Sequence, residues 1–559
     1  MSLKTGEPEE VSAKTPNVYF HGQKPRLPDP GGRLPVALAY PGQARAALSA
    51  LGWQSVYRLA EESPRLVVER FFLSATKTVP RSQDTSSPLD AFPLAAFSLA
   101  YELDAVALVQ ALNASAIPLL ASQRPGYPIL LGGGPLAFLN PAPLSPILDA
   151  WFVGEAEAGL IPCLERAAGM VLAGADKARV LAAMAEYPGV YVPGLSATPV
   201  RRVVAPGGRV LADPACSSFV SHEAEFKDTL LLEVNRGCPH ACRFCAAGYV
   251  YRPPRQARRE DLEALVEHSG ARKVGLVGTA LTDWAELPEF LRWLKGRKTK
   301  FTLSSVRAAG VNEELLGILR DAGLRTLTLA LEGPSQRIRR MANKHLDADV
   351  FLRAVELAAS RGVNHLKSYL IVGWPGETDA DYEELHRFLV EICKAGRVGS
   401  GKKGIGHMTI GANPLVPKPW TPMQWAPMAP EAALEARFEE LAARIKPLRG
   451  VRLEGETPFW ARVQGLAARG GPELAELFIL AAEQGWRKAL RQWPCDPAQV
   501  LDRTRGKDEP FSWECIDVGV SRARLWKEWT RYLEAAPSAP CPDADCGRCA
   551  GCSLSSPVG

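Results

Sequence analysis

The sequence predicts an α/β protein in which an N-terminal doubly wound parallel sheet is followed by a partial (βα)6 barrel and a mainly helical C-terminal region. Three observations predict it. Between residues 34 and 193, apolar strand-like runs alternate with helical stretches and several strand ends are glycine-rich, the pattern of a doubly wound sheet. Between 229 and 447, six more strand-like runs alternate with helices, the pattern of a barrel open on one side. From 450 to 536 the periodicity turns helical, most clearly over 472–493 and 522–533.

Taken in order, residues 1–32 are rich in Pro, Gly, Glu and Lys and read as a flexible leader. The doubly wound domain covers 33–195, with strands at 35–40, 65–72, 94–101, 127–132 and 150–154 and helices at 44–61 and 104–113. Pro, Gly and Ser punctuation marks 196–228 as a linker. The barrel occupies 229–448, with strands at 229–234, 273–277, 300–304, 325–331, 366–372 and 407–412. The helical domain follows at 449–536, and a cysteine-rich tail ends the chain at 537–559.

Bulk properties narrow the function. With 559 residues and 47% hydrophobic content the chain has material for two or three cores. A net charge of +5 is small at this length and gives no strong electrostatic case for nucleic acid, which only the basic clusters at 252–259 and 337–340 keep open. Residues 1–14 are polar and lack an apolar signal core, and no stretch approaches the ~20 apolar residues of a spanning helix. The twelve cysteines cluster at metal-ligand spacings and are not scattered as disulfide pairs, which predicts a reducing cytoplasm.

The densest chemistry lies in Asn235-Arg-Gly-Cys238-Pro-His-Ala-Cys242-Arg-Phe-Cys245, directly after the first barrel strand. Three thiolates at C-x3-C-x2-C can hold three irons of a cubane and leave the fourth open. A structural zinc site normally closes with a fourth protein ligand, and His240 would reach it only with poor geometry. The spacing, with Phe244 before the last cysteine, resembles the radical S-adenosylmethionine (SAM) superfamily. The resemblance implies a 4Fe-4S cluster on Cys238, Cys242 and Cys245 whose open iron chelates SAM.

Further segments fall in order where that superfamily contacts SAM. Gly278 and Thr279 end the second barrel strand, and Ser305 and Arg307 follow the third, where an arginine fork suits a carboxylate. Glu332 and Ser335 follow the fourth, although Glu332 reads equally as a helix-capping acid. Gly373 and Trp374 follow the fifth, in a segment resembling the family's adenine contact, with Trp374 placed to stack. Pro417-Lys418-Pro419 resembles a segment common in radical SAM proteins.

A doubly wound domain ahead of such a barrel resembles the cobalamin-binding branch of the superfamily. The matching residues are Gly132, Gly133 and Gly134 at one strand end, Gly154 and Glu155 at the next, and Tyr40 at the end of the first strand. Glycines admit close approach of a flat ligand, and Glu155 would meet the cofactor tail. No histidine lies between 34 and 193, so cobalt would lack a local imidazole ligand. The similarity extends over Trp513 to Ser521 and the tail, and implies a bacterial branch of this group. In the tail, Cys541, Cys546, Cys549 and Cys552 could wrap a second iron–sulfur cluster or a zinc ion.

These resemblances imply SAM cleavage to a 5'-deoxyadenosyl radical and, with cobalamin, methyl transfer to an unactivated carbon. A radical cyclisation or rearrangement without methyl transfer, or modification of tRNA or protein, are the alternatives. The expected partners are a small-molecule or peptide substrate and an external one-electron donor such as flavodoxin or ferredoxin. No membrane is expected.

Overall fold

The structure, a computed structural model, describes residues 17–20, 23, 25–73, 78–398 and 404–541. Alternation within the first long strand, β1 (Leu34–Tyr40), decides how the N-terminal sheet packs. Leu34, Val36 and Leu38 point to one face, Ala37 and Ala39 to the other, and all five are buried, as the two-residue repeat of a strand dictates. With β2 (Leu66–Phe72), β3 (Leu94–Ser98), β4 (Ile129–Gly133), β5 (Ala150–Phe152) and β6 (Val190–Tyr191) it forms a sheet ordered β2-β1-β3-β4-β5-β6. All pairings are parallel except that of β6. The order reverses between β1 and β3, and ligands of such sheets sit outside the strand C-termini at that point.

Both faces are covered, as parallel sheets require. Helices α1 (Leu51–Glu61) and α2 (Leu160–Leu172) bury one face through Trp53, Tyr57, Leu160 and Leu164. The other face, with Phe71, Ala95 and Phe97, shares a continuous apolar core with Trp425, Phe478, Trp513 and Tyr532. Helix Asp104–Ala114 joins that core through Leu108, Val109 and Leu112, and the C-terminal helices pack into it as well.

The barrel holds all six predicted strands. β7 (Leu230–Arg236), β8 (Lys273–Gly278) and β9 (Lys300–Leu303) form one parallel run, and β10 (Thr326–Glu332), β11 (His365–Val372) and β12 (His407–Pro414) begin the next. A parallel bridge between Val306 and Leu329 joins the two. A seventh strand, β13 (Val451–Gly455), pairs in parallel with β12 and lies in what the sequence assigned to the helical region. It is a half-exposed edge strand, so its run of Val, Arg, Leu, Glu and Gly gives little apolar signal. The leader also departs from expectation at its described end, where Tyr19–Phe20 pairs with Phe219–Val220 and Tyr19 stacks on Phe219. No helix among the described residues is long and apolar enough to cross a membrane.

Glu155, just after β5, joins the sheet to the barrel. It is buried and accepts from Arg255 (Nη1 to Oε2, 2.8 Å), with Arg236 at 3.2 Å and Arg202 at 3.5 Å. Arg236 ends β7 and also meets Glu157 at 2.6 Å. Both Glu155 oxygens are occupied by this network, a correction to its assignment to a cobalamin tail. Burial alone would raise its pKa, but the three guanidinium groups hold it down at about 2.

Removing one partner of such a network leaves buried charges unanswered. Glu155→Ala should lower stability by about 3–5 kcal/mol, read as a lower denaturation midpoint. Because the folded carboxyl titrates below its ordinary 4.5, its contribution is complete above about pH 4.5 and is lost as pH falls toward 2. The gap between wild type and Glu155→Gln should therefore narrow in acid.

Candidate active site

The cysteine loop leaves β7 through Gly237, which takes a φ of +81°. A Cβ there would meet the Tyr251 carbonyl oxygen at 2.2 Å, so only glycine fits. Buried Asn235, still in β7, grips the turn after β8: its Nδ2 donates to Ala280 O at 2.9 Å and its Oδ1 accepts from Ala280 N at 3.1 Å. The Thr279 hydroxyl donates to Gly237 O at 2.5 Å. Thr279 thus holds the loop, and Gly278 leaves room for Asn235, whose Oδ1 would stand 2.6 Å from a Cβ.

Cys242 is buried and Cys238 and Cys245 are partly so; none forms a disulfide. Burial pushes the Cys238 and Cys242 thiols up to about 11 and raises Cys245, and each thiol feels the charge of another in the set. A metal centre reverses this preference by binding the thiolate. No group of three or more His, Cys, Asp or Glu among the described residues is arranged to hold a single metal ion. A cubane differs, since each thiolate takes its own iron, and the buried soft donors fit that group.

Around the thiols stand Arg307, Lys344 and Glu332. The charges of Arg307 and Lys344 lower the Cys242 thiol while that of Glu332 raises it. Lys344 Nζ lies 3.2 Å from Glu332 Oε1, and Glu332 adopts a φ of +67°, a strained backbone of the kind found at functional sites. His240, inside the loop, meets Asp283 Oδ2 at 2.5 Å, and Asp283 Oδ1 is 4.0 Å from Arg307 Nε. Ser305 is exposed beyond β9. Lys344 and Asp283 escaped the sequence reading because neither lies in a recognisable spacing.

Two predicted SAM contacts are redirected. Ser335 is fully buried; its hydroxyl accepts from Ile338 N at 3.1 Å and donates to Asp381 Oδ1 at 2.5 Å, capping Gln336–Met341. Trp374 is buried edge-on against Phe244 (centroids 5.4 Å, 88°) and stacked near Tyr532 (6.5 Å, 21°), with its indole N–H donating to Ile371 O. It buttresses the cysteine loop and is not free to stack on adenine. Gly373 (φ +87°) turns the chain so that its N–H and that of Trp374 both donate to Glu377.

The loop is fastened from behind by a residue the sequence did not flag. Arg243 has no exposed surface. Its guanidinium donates to Met341 O (2.8 Å), Ala536 O (2.7 Å) and Ser538 Oγ (2.9 Å), and pairs with Glu528 at 3.2 Å. Asn343 donates to Ala241 O and Ser538 O and accepts from Ser538 N. Residues 536–541 thereby form a strap across the loop.

At the other end, the strand C-termini of the N-terminal sheet face the Pro-Lys-Pro segment. Lys418 pairs with Glu102, whose second oxygen accepts from Gln464 at 2.9 Å. Asp104 accepts from Ala100 N and Tyr101 N, and burial raises it to about 6. Tyr40 is half-buried here, and burial raises its phenol. Of the predicted glycines only Gly133 borders open space. A Cβ on Gly132 would strike Trp151 at 2.6 Å, on Gly134 the Leu99 carbonyl at 2.8 Å, and on Gly154 the Val203 carbonyl at 2.3 Å; these three serve packing. Cys541 is buried beside the loop, while Cys546, Cys549 and Cys552 lie outside the described residues.

Residues 52–193 match the family described as radical SAM proteins, N-terminal, and residues 232–389 match the radical SAM superfamily. Uncharacterized protein MJ0966 of Methanocaldococcus jannaschii is 29% identical over 366 residues, covering 64% of this chain and 74% of its own. The ribosomal protein uS12 methylthiotransferase RimO of Chlorobium limicola is 28% identical over 176 residues; the match spans 29% of this chain and 41% of RimO. Among solved structures, the radical SAM methyltransferase TsrM of Kitasatospora setae, with tryptophan substrate and a SAM analogue bound, shares the fold at 15% identity and TM-score 0.51. That match covers 81% of this chain and 99% of TsrM.

Losing the Arg243 guanidinium would leave Glu528 buried without its partner and release the strap. Arg243→Met is expected to cost about 3–5 kcal/mol and to lose most of the iron retained after anaerobic reconstitution, measured as iron per chain against wild type.

Proposed function

The chain belongs to the radical SAM superfamily, and on that premise we propose that it is a cobalamin-dependent methyltransferase acting on an unactivated carbon. The observation that carries this reading is the position of the topological switch point. The reversal of strand order between β1 and β3 marks where a doubly wound sheet takes a ligand, and the Glu102–Lys418 pair brings that edge to the barrel segment after β12. Gly133 borders open space at the same edge. The fold shared with TsrM, a methyltransferase by its description, supports the reading.

When bound, a 4Fe-4S cluster supplies one-electron cleavage of SAM, and cobalamin supplies a carrier for the methyl group. Cys238, Cys242 and Cys245 would hold the cluster. Arg307 and Lys344 offer the cationic partners a SAM carboxylate needs, and Glu332 an acceptor for its ammonium group. Trp374 and Phe244 keep the inner wall of the loop apolar and dry. Tyr40, Ala100 to Glu102 and Gly133 would border the cobalamin, with Lys418 closing the seam. The electron comes from an external donor of the flavodoxin or ferredoxin class.

Modification of tRNA or protein by sulfur insertion would require further thiolates ahead of the barrel. Cys163 is the only cysteine between 34 and 193, and it is buried in the core on the inner face of α2.

The deciding experiment is an anaerobic count of iron, sulfide and cobalamin per chain after reconstitution with hydroxocobalamin, followed by SAM carrying a labelled methyl group. About four irons with one cobalamin, and label passing from SAM to the cobalamin, support the proposal. A full cluster without cobalamin overturns it in favour of a radical reaction without methyl transfer. Cys242→Ala should abolish SAM cleavage. Lys418→Met should weaken cobalamin retention by about tenfold, equivalent to ~1.4 kcal/mol, with iron content unchanged.

A further inference from the structure

The two faces of the barrel sheet are built differently. Leu329 of β10, Leu366 and Leu370 of β11 and Ile410 of β12 pack outward in one core with the helix residues Phe351 and Leu389. Alternation along a strand turns their neighbours inward, and the register groups these in layers. Thr328, Lys367, Thr409 and Arg452 stand side by side across β10 to β13. Ala330, Tyr369, Gly411 and Glu454 form the next layer toward the strand C-termini.

A closed barrel fills its interior with bulky branched side chains, and a parallel sheet is ordinarily covered on both faces. Here Tyr369 on the inner face is 36% exposed, and Val277 on the inner face of β8 is 37% exposed. Alanine and glycine flank Tyr369, so the interior is open at that level. Lys367 Nζ lies 5.7 Å from the centre of the Tyr369 ring. Neither Lys367 nor Arg452 forms an ion pair among the described residues. The Thr409 hydroxyl meets His365 Nε2 at 2.9 Å. Glu454 lies one layer nearer the strand ends. Two cations without acids, flanked by hydroxyls in one layer, are the complement of an anion.

We propose that the barrel interior seats an anionic group of the substrate, a carboxylate or a phosphate, between Lys367 and Arg452, with the Thr328 hydroxyl as a further donor. β11 and β13 are two strand spacings apart, about 10 Å, a gap that a lysine and an arginine side chain close on one such group. Lys367 precedes Ile371 by four residues, about 13 Å along an extended strand. Ile371 belongs to the apolar group of Phe244 and Trp374 beside the cysteine loop. The substrate is therefore an elongated small molecule, anchored deep in the barrel by its charged end with its reacting carbon toward the loop. The proposal rests on the barrel being the active site and is independent of methyl transfer.

The test titrates inorganic phosphate and, separately, acetate into the full-length, anaerobically reconstituted protein by calorimetry, with SAM saturating throughout. Wild type should bind one of the two more tightly, phosphate marking a phosphorylated substrate and acetate a carboxylate. Lys367→Met/Arg452→Met should weaken that binding by about tenfold or more, whereas Lys367→Arg, which keeps the charge, should retain it. No binding to wild type, or equal binding to wild type and the double variant, would overturn the proposal. Binding seen only when SAM is left out would also overturn it, because the two cations would then serve the SAM carboxylate. Iron per chain and the change in the reduced cluster's electron paramagnetic resonance spectrum on adding SAM are read on the same samples. Their loss in wild type would count against the barrel as the SAM site, and their retention in the double variant shows that only the anion seat was removed.

Discussion

Arg243 stands between two cluster cysteines with none of its surface in water, so its charge has to be answered inside the protein. Glu528 answers it, and the remaining donors reach carbonyl and hydroxyl oxygens from two distant stretches of chain. The partners lie as far as 295 residues away in sequence. A short loop carrying three thiols has little apolar surface of its own with which to hold a shape. This guanidinium supplies the missing restraint, drawing α-helical and irregular segments of the C-terminal region onto the loop. Trp374 and Phe244 add an apolar brace on the inner side, and Asn235 and Thr279 tie the outer side to β8. The protein's own side chains thus fix the loop from several directions, which is the preorganisation a reactive centre needs.

How much of this the sequence revealed follows from the range of each interaction. The cysteine spacing and the strand–helix alternation are local patterns, and both were legible. Strand β13 was not, because an edge strand buries only part of its surface and its polar residues mask the repeat. Glu155 looked like a ligand-facing acid because a carboxylate after a glycine at a strand end reads the same whether it meets a cofactor or an arginine. Its partner Arg255 is 100 residues away, and nothing near Glu155 announces the pairing. Trp374 was read as an exposed stacking surface for the same reason: only the fold brings Phe244 and Tyr532 to its faces. Ser335, preceding a short helix, carried a visible capping signal that the family pattern overshadowed.

The two α/β units are joined by charge at two places and by shared apolar packing elsewhere. The Glu155 cluster welds the end of β5 to the end of β7, and the Lys418–Glu102 pair spans the opposite seam. Both lie at strand C-termini, where both folds place their chemistry. Ion pairs hold two surfaces in register without filling the space between them, whereas an apolar contact of equal strength would close it.

The common core of the N-terminal sheet and the C-terminal helices has a consequence for biosynthesis. Phe71, Phe97 and Trp151 are made early, whereas Phe478, Trp513 and Tyr532, which belong to the same continuous core, are made much later. Until then that face of the nascent sheet is covered only by helix Asp104–Ala114 and its neighbours, and an incomplete core exposes apolar surface during synthesis. The strap that closes over the cysteine loop is later still. The cysteine loop is therefore made well before the segment that seals it from behind, so the pocket closes only after both have been synthesised.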